Sequence, residues 1–130
     1  MRNRDSNPGK DEESTELPDS SIDLKVLVLA SGRSPFRDWY DGIRDTDTRQ
    51  RINARLLRVR NGNLGDVKPV GGDVYELRLD FGPGFRVYFS KVGSTVIVLL
   101  AGGDKSTQQS DISRAITLWK ENKDDADRLQ

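Results

Sequence analysis

Between Asp73 and Ser90 the chain reads DVYELRLDFGPGFRVYFS. Two alternating runs flank Gly82-Pro83-Gly84, which is the signal of a β-hairpin. Side chains alternate across a strand. Tyr75, Leu77 and Leu79 therefore share one face of the first arm, and Phe85, Val87 and Phe89 share one face of the second. Pairing keeps like faces together, so this aromatic and aliphatic set forms one wall of a core. The other face carries Val74, Glu76, Arg78 and Asp80 beside Arg86, Tyr88 and Ser90. A fold built on this hairpin must cover the first wall and, on this reading, leaves Arg78, Arg86 and Tyr88 on an open face.

The segments around the hairpin supply the cover. Ile22–Ala30 (IDLKVLVLA) reads as a strand rich in branched residues. Ser34 with Pro35 is an N-cap followed by proline at the first helical position. Phe36, Trp39, Tyr40 and Ile43 then form one apolar stripe. A second helix is predicted from about Asp47 to Arg60, with Ile52, Leu56 and Val59 inward and Arg51, Arg55 and Arg58 along one flank. Asn61-Gly62-Asn63 and Gly65 end it. A shorter strand is predicted around Asp66–Val70. Thr95–Ala101 (TVIVLLA) is apolar throughout and belongs inside the sheet, with both faces covered. Ser106 with Gln109 fits a capping box opening a last helix, whose stripe is Ile112, Ala115, Ile116 and Trp119. Both tryptophans sit on apolar stripes and are expected to be buried. Beyond Glu121 the chain is polar and fraying is expected.

Composition then narrows the chemistry. The 130 residues suit one compact domain. Residues 1–20 contain no aromatic residue and no apolar periodicity, so they read as a disordered acidic tail, either natural or the product of a start codon placed too early. The division expected is a tail over 1–20, a folded domain over 21–121 and a polar C-terminal tail over 122–130. There is no cysteine and no histidine. Disulfides, thiolate catalysis, cysteine-ligated zinc and the usual neutral-pH acid/base are thereby excluded. No metal and no cofactor is expected. The longest apolar run is too short to span a bilayer, and no leader opens the chain, so a cytoplasmic protein without membrane contact is expected. The formal net charge is zero, but it is unevenly spread. Residues 21–110 hold 14 Lys and Arg against 10 Asp and Glu, while residues 1–20 hold three against six. A basic body between acidic ends points to an anionic partner.

Two readings of the arginine-bearing face follow from the pattern. In one, Glu76 and Asp80 pair with Arg78 and Arg86 on a solvated face, each pair contributing ~0.5 kcal/mol. In the other, the face grips phosphate, with Tyr88 offering a stacking plane or a proton. Lys105, in Gly-Gly-Asp-Lys-Ser-Thr after the last strand, stands near a helix N-terminus that could add backbone N–H groups. On an open face, removing either arginine is expected to change stability by only about 0.5 kcal/mol.

GDVKPVGGDVYELRLDFGPGFRVYF (65–89) followed by VIVLLAGGDKSTQQSDI (96–112) resembles the RelE/ParE toxin superfamily, in its phage-related addiction module killer branch, similar to HigB toxins. FRDWYDGIRDTDTRQRINARLLRVRNGNLGD (36–66) also fits, so the resemblance covers roughly residues 22–120. It implies an α+β fold: an N-terminal strand, a helical hairpin, a three- to four-stranded antiparallel sheet and a C-terminal helix. It implies the toxin of a type II toxin–antitoxin system, a metal-independent endoribonuclease (mRNA interferase) acting on mRNA in the ribosomal A site. The RNA's own 2′-hydroxyl attacks the neighbouring phosphate and leaves a 2′,3′-cyclic phosphate. A cognate helix-turn-helix antitoxin neutralises it, and operator DNA is met only through that complex. By position, Arg86 matches the family arginine that holds the scissile phosphate, Arg78 a basic residue on the preceding strand, and Lys105 a basic residue after the last strand. Lys68 and the Arg51, Arg55 and Arg58 flank are RNA-binding candidates, the three arginines lying outside the sheet site.

The sequence departs from the family's pattern in its acid/base groups. No tyrosine follows Tyr88, and arginine stays protonated. Tyr88, Lys68, Lys105 or Asp80 would have to move the protons. The resemblance also admits, as alternatives, a non-enzymatic DNA gyrase inhibitor on the same fold or an inactive toxin-like binding module.

Overall fold

The computed structural model describes residues 21–130. The expected tail over 1–20 lies outside the described residues. The elements are β1 (Asp23–Val26), α1 (Pro35–Asp41), α2 (Thr46–Arg60), β2 (Val67–Gly71), β3 (Val74–Arg78), β4 (Arg86–Val92), β5 (Val96–Gly103) and α3 (Gln108–Asn122). The protein is thus α+β with a C-terminal helix. Its sheet has five strands in the order β1-β5-β4-β3-β2 and is mixed, not the three- to four-stranded antiparallel sheet expected. Two helices, α1 and α2, separate β1 from the rest of the sheet in sequence, and β1 and β5 run parallel, with Leu24 opposite Ile97. The other pairs are antiparallel. β2 is an edge strand, which is where Pro69, having no N–H, can sit.

Local signals account for the helices. The Ser34 side chain accepts from Arg37 N–H and Pro35 opens α1, as the sequence predicts. Ile52, Leu56 and Val59 are buried along α2. Before α3 the cap differs from the expected Ser106–Gln109 box. Asp104 accepts from Ser106 N–H at 2.8 Å and caps a 3-10 turn (Lys105–Thr107), which postpones α3 to Gln108. Those hydrogen bonds, the Ser106 side chain's first, hold the Asp104 carboxyl below its ordinary pKa.

Both faces of the sheet are covered. One packs Phe36, Ile52, Leu56 and Val59 of α1 and α2 against Leu77, Val87, Phe89 and Ile97. The other packs Ala115 and Trp119 of α3 against Val74, Tyr88, Val98 and Leu100. The face predicted to be open therefore lies largely under α3. Full burial of a large apolar side chain stabilises by about 1.5–3 kcal/mol, so two such layers hold the sheet between the helices. Trp119 is 5% exposed, as predicted, whereas Trp39 is half-buried. Beyond α3, where composition predicts fraying, a 3-10 turn (Ala126–Arg128) brings the chain back. Val28 N–H donates to Arg128 O and Gln130 N–H to Val26 O, so the last residues cover the outer edge of β1.

One irregularity matters for the site. Tyr88 pairs with Ala101 but Phe89 with Leu99, so Leu100 is an extra residue in β5. The bulge resets the alternation beyond it. Gly102 then faces α1, where a Cβ would run into the Trp39 indole, and Gly103 faces α3, where one would meet Asp111.

Candidate functional site

Arg78 and Arg86 are Cα partners across β3–β4, the last pair of that ladder before the connecting loop. Leu79 N–H donates to Phe85 O at 3.0 Å and closes the loop's neck. The loop is held by aromatic contacts. Phe81 meets Phe85 edge-on at 5.6 Å, and Phe85 meets Trp39 at 6.1 Å. Gly82 has φ +62°, and the Phe85 ring occupies the space a side chain would need there. Lys105 docks on the same loop, its N–H donating to Pro83 O at 3.4 Å. Gly84 lies between Lys105 and Arg86, since a Cβ on it would come within 3.2 Å of the Lys105 Cβ and 3.4 Å of Arg86 Nη1. The three cations predicted from sequence are thus gathered at one end of the sheet.

The α2 flank belongs to the same place, contrary to its predicted separation from the sheet site. A cleft of about 510 Å³ is lined by Arg51, Arg55 and Arg58 on one side and by Asp66, Arg78, Asp80 and Phe81 on the other. A second cleft of about 320 Å³ shares Asp66, Arg78, Asp80 and Phe81 and adds Arg86, Gly82 and Gly84. The loop turns back far enough that β3's end reaches the α2 helix, which strand alternation cannot reveal. Arg51 lies 4.2 Å over the Phe81 ring, a cation–π contact that ties α2 to the loop. Arg55 is 9% exposed and donates to Leu64 O, so it braces the α2–β2 connection more than it presents a charge. Burial, then the neighbouring Arg58, lowers its pKa, with Asp66 opposing. Lys68 is exposed on the edge strand, opposite Glu76, and lines neither cleft.

Tyr88 is fully buried and cannot offer a stacking plane. Burial first, then the charges of Glu76 and Asp111, pushes its phenol pKa well above the ordinary value, with Arg86 opposing. A phenol so placed is no base at neutral pH. Its hydroxyl donates instead to Glu76 Oε2 at 3.3 Å. Glu76 itself is fully buried. It also accepts from Gln108 Nε2 at 2.8 Å and Arg78 Nε at 3.5 Å, and stands 3.7 Å from Arg86 Nε. The pairing of Glu76 with the arginines matches one of the two sequence readings, but on a buried face and not a solvated one. Gln108 is not singled out by the sequence, because only the landing of α3 brings it to a residue 32 positions earlier. Asp80, by contrast, is exposed and lines both clefts.

The arrangement can hold an anion. Arg78, Arg86, Arg51 and Arg58 present permanent charge and planar forks from a rigid strand pair and helix. Asp66 and Asp80 punctuate that charge along both clefts. Among the described residues no helix is long and apolar enough to cross a membrane. No protein-family profile matches the chain. An uncharacterised protein of Haemophilus influenzae is 42% identical over 86 residues, which make up 66% of this chain and 87% of that protein.

Proposed function

The chain belongs to one family with that uncharacterised Haemophilus influenzae protein, and we propose that it is the toxin of a toxin–antitoxin pair, an endoribonuclease of the RelE/ParE kind that cuts mRNA on the ribosome. The observation that carries this reading is the pairing of Arg78 with Arg86 at the mouth of two adjoining clefts that share Arg78. A single RNA strand laid over both clefts would run past Arg51, Arg58, Arg78 and Arg86. The element order, with a helical hairpin between the first strand and the antiparallel part of the sheet, supports the family arrangement.

In this reading the RNA supplies the nucleophile. Its 2′-hydroxyl attacks the adjacent phosphorus, the bond to the 5′-oxygen breaks, and a 2′,3′-cyclic phosphate remains. Arg86 and Arg78 neutralise the charge that grows on the phosphate. The proton from the 2′-hydroxyl goes to an exposed carboxylate, for which Asp80 is placed beside Arg78. Lys105, docked on the loop, is the candidate donor to the leaving oxygen. A cognate helix-turn-helix antitoxin would neutralise the toxin, and operator DNA would be bound only through the complex. A second reading, an RNA-binding module that does not cut, is favoured by one observation: Tyr88 is buried and cannot act on the RNA.

Primer extension on mRNA after brief induction tests the proposal. Breaks in phase with codons in wild type, and none with Arg78→Ala at equal expression, are expected. Message bound but intact favours the non-cutting module. Intact message with relaxed DNA refutes ribonuclease action in favour of gyrase inhibition.

A further inference from the structure

Glu76 is an unusual residue to find under α3. It is fully buried on a face otherwise built from Val74, Val98, Leu100, Ala115 and the Tyr88 ring. A carboxylate in such a place is costly unless paired and hydrogen-bonded, and an apolar residue of similar volume would fill it at lower cost. Its neighbours suggest what it is for. Oε1 receives Arg78 Nε at 3.5 Å, while Oε2 faces Arg86 Nε at 3.7 Å. Each arginine is thus met on its inner Nε side, one on each oxygen. Arg86 is further fixed by donating from Nη1 to Gly84 O at 3.1 Å. Both residues line one cleft, and Arg86 Nη1 is already engaged on the loop. Tyr88 and Gln108 hold the carboxylate itself, so its position is set from β4 and from the first turn of α3.

We propose that Glu76 is a positioning residue: on the sheet face it shares with them, it holds Arg78 through a hydrogen bond at Nε and Arg86 through the facing charge, so that their remaining N–H groups converge on one phosphate. The inference rests on the reading that these arginines hold phosphate. A purely structural ion pair would predict something different, and the sign of one measurement separates the two. Glu76 lies next to both arginines, so Coulomb's law alone says that removing its charge strengthens anion binding. Loss of alignment says that binding weakens, because a fork held at the wrong angle cannot make its bidentate contact.

The test uses the full chain, a short 2′-O-methyl RNA that cannot be cleaved, and fluorescence anisotropy at fixed moderate salt. Glu76→Gln is expected to lower affinity about tenfold, as loss of a supporting partner behind a ligating side chain does, although the site has become more positive. Affinity that is unchanged or higher overturns the proposal. The swap Glu76→Gln with Gln108→Glu returns a carboxylate to the same cluster and is expected to recover most of the loss; a swap no better than Glu76→Gln alone counts against it. Arginine Nε–Hε resonances provide a readout independent of RNA. In wild type those of Arg78 and Arg86 are expected to be protected from exchange, and in Glu76→Gln to lose that protection. A wild type that binds no RNA defeats the phosphate reading, and the Nε–Hε spectra then decide whether Glu76 orders the two side chains. If Glu76→Gln does not fold, the wild-type spectrum still decides, since rapid exchange at both Nε positions refutes the proposal.

Discussion

Arg86→Ala should destabilise the protein far more than Arg78→Ala, although the two residues face each other across one ladder. The Arg86 side chain is 11% exposed and its partner Glu76 0%, whereas the Arg78 side chain is 39% exposed. Removing one member of a buried ion pair costs about 3–5 kcal/mol, because the other is stranded. Here Glu76 keeps Tyr88, Gln108 and Arg78. The 3.7 Å approach of Arg86 Nε is an ion pair without a hydrogen bond. Both facts move the cost toward about 2–3 kcal/mol. The half-open Arg78 pair is screened by water and should cost about 0–1 kcal/mol. A domain of this size loses about 4 °C of Tm per kcal/mol. Thermal melts followed by circular dichroism should therefore fall by about 8–12 °C for Arg86→Ala and by about 4 °C at most for Arg78→Ala. In a Glu76→Gln background no charge is stranded, so Arg86→Ala should cost clearly less. Equal shifts for the two single variants, or an undiminished Arg86→Ala cost in that background, would refute the buried-pair argument. The open face predicted from sequence made both changes nearly neutral, and the burial of Glu76 is what separates them.

Tyr88 has its pKa raised, so its phenol ionises more easily in the unfolded chain, near pH 10, than in the fold. Its contribution to stability is fully present below that pH and is lost as pH rises toward the folded value. Ultraviolet titration should show a tyrosine that ionises only with alkaline unfolding; complete tyrosine ionisation with the fold intact would contradict it. Gly102→Ala would drive a methyl group into the Trp39 indole, so it should cost about 1–3 kcal/mol and alter the Trp39 fluorescence. An unchanged Tm would mean that α1 can shift away without loss.

The residues of the hairpin, the Ser34-Pro35 helix start, the α2 stripe and the interior strand could all be read from sequence, because each is a local pattern. Alternation over 73–90 correctly placed Glu76, Arg78, Arg86 and Tyr88 on one face. It could not say what lies over that face. That depended on α3 crossing the sheet, which buries Tyr88, encloses Glu76 and introduces Gln108. The parallel pairing of β1 with β5 was equally out of reach, since it follows from where the intervening elements deliver the chain and not from either strand's composition. The α2 arginines were legible as a helix flank, but their meeting with Arg78 depends on the Phe81–Phe85 loop folding back toward α2. Periodicity along a chain fixes which side chains share a surface; the dielectric around them, and so whether a carboxylate there is a solvated counter-ion or a buried anchor, is decided only when a distant element packs on that surface.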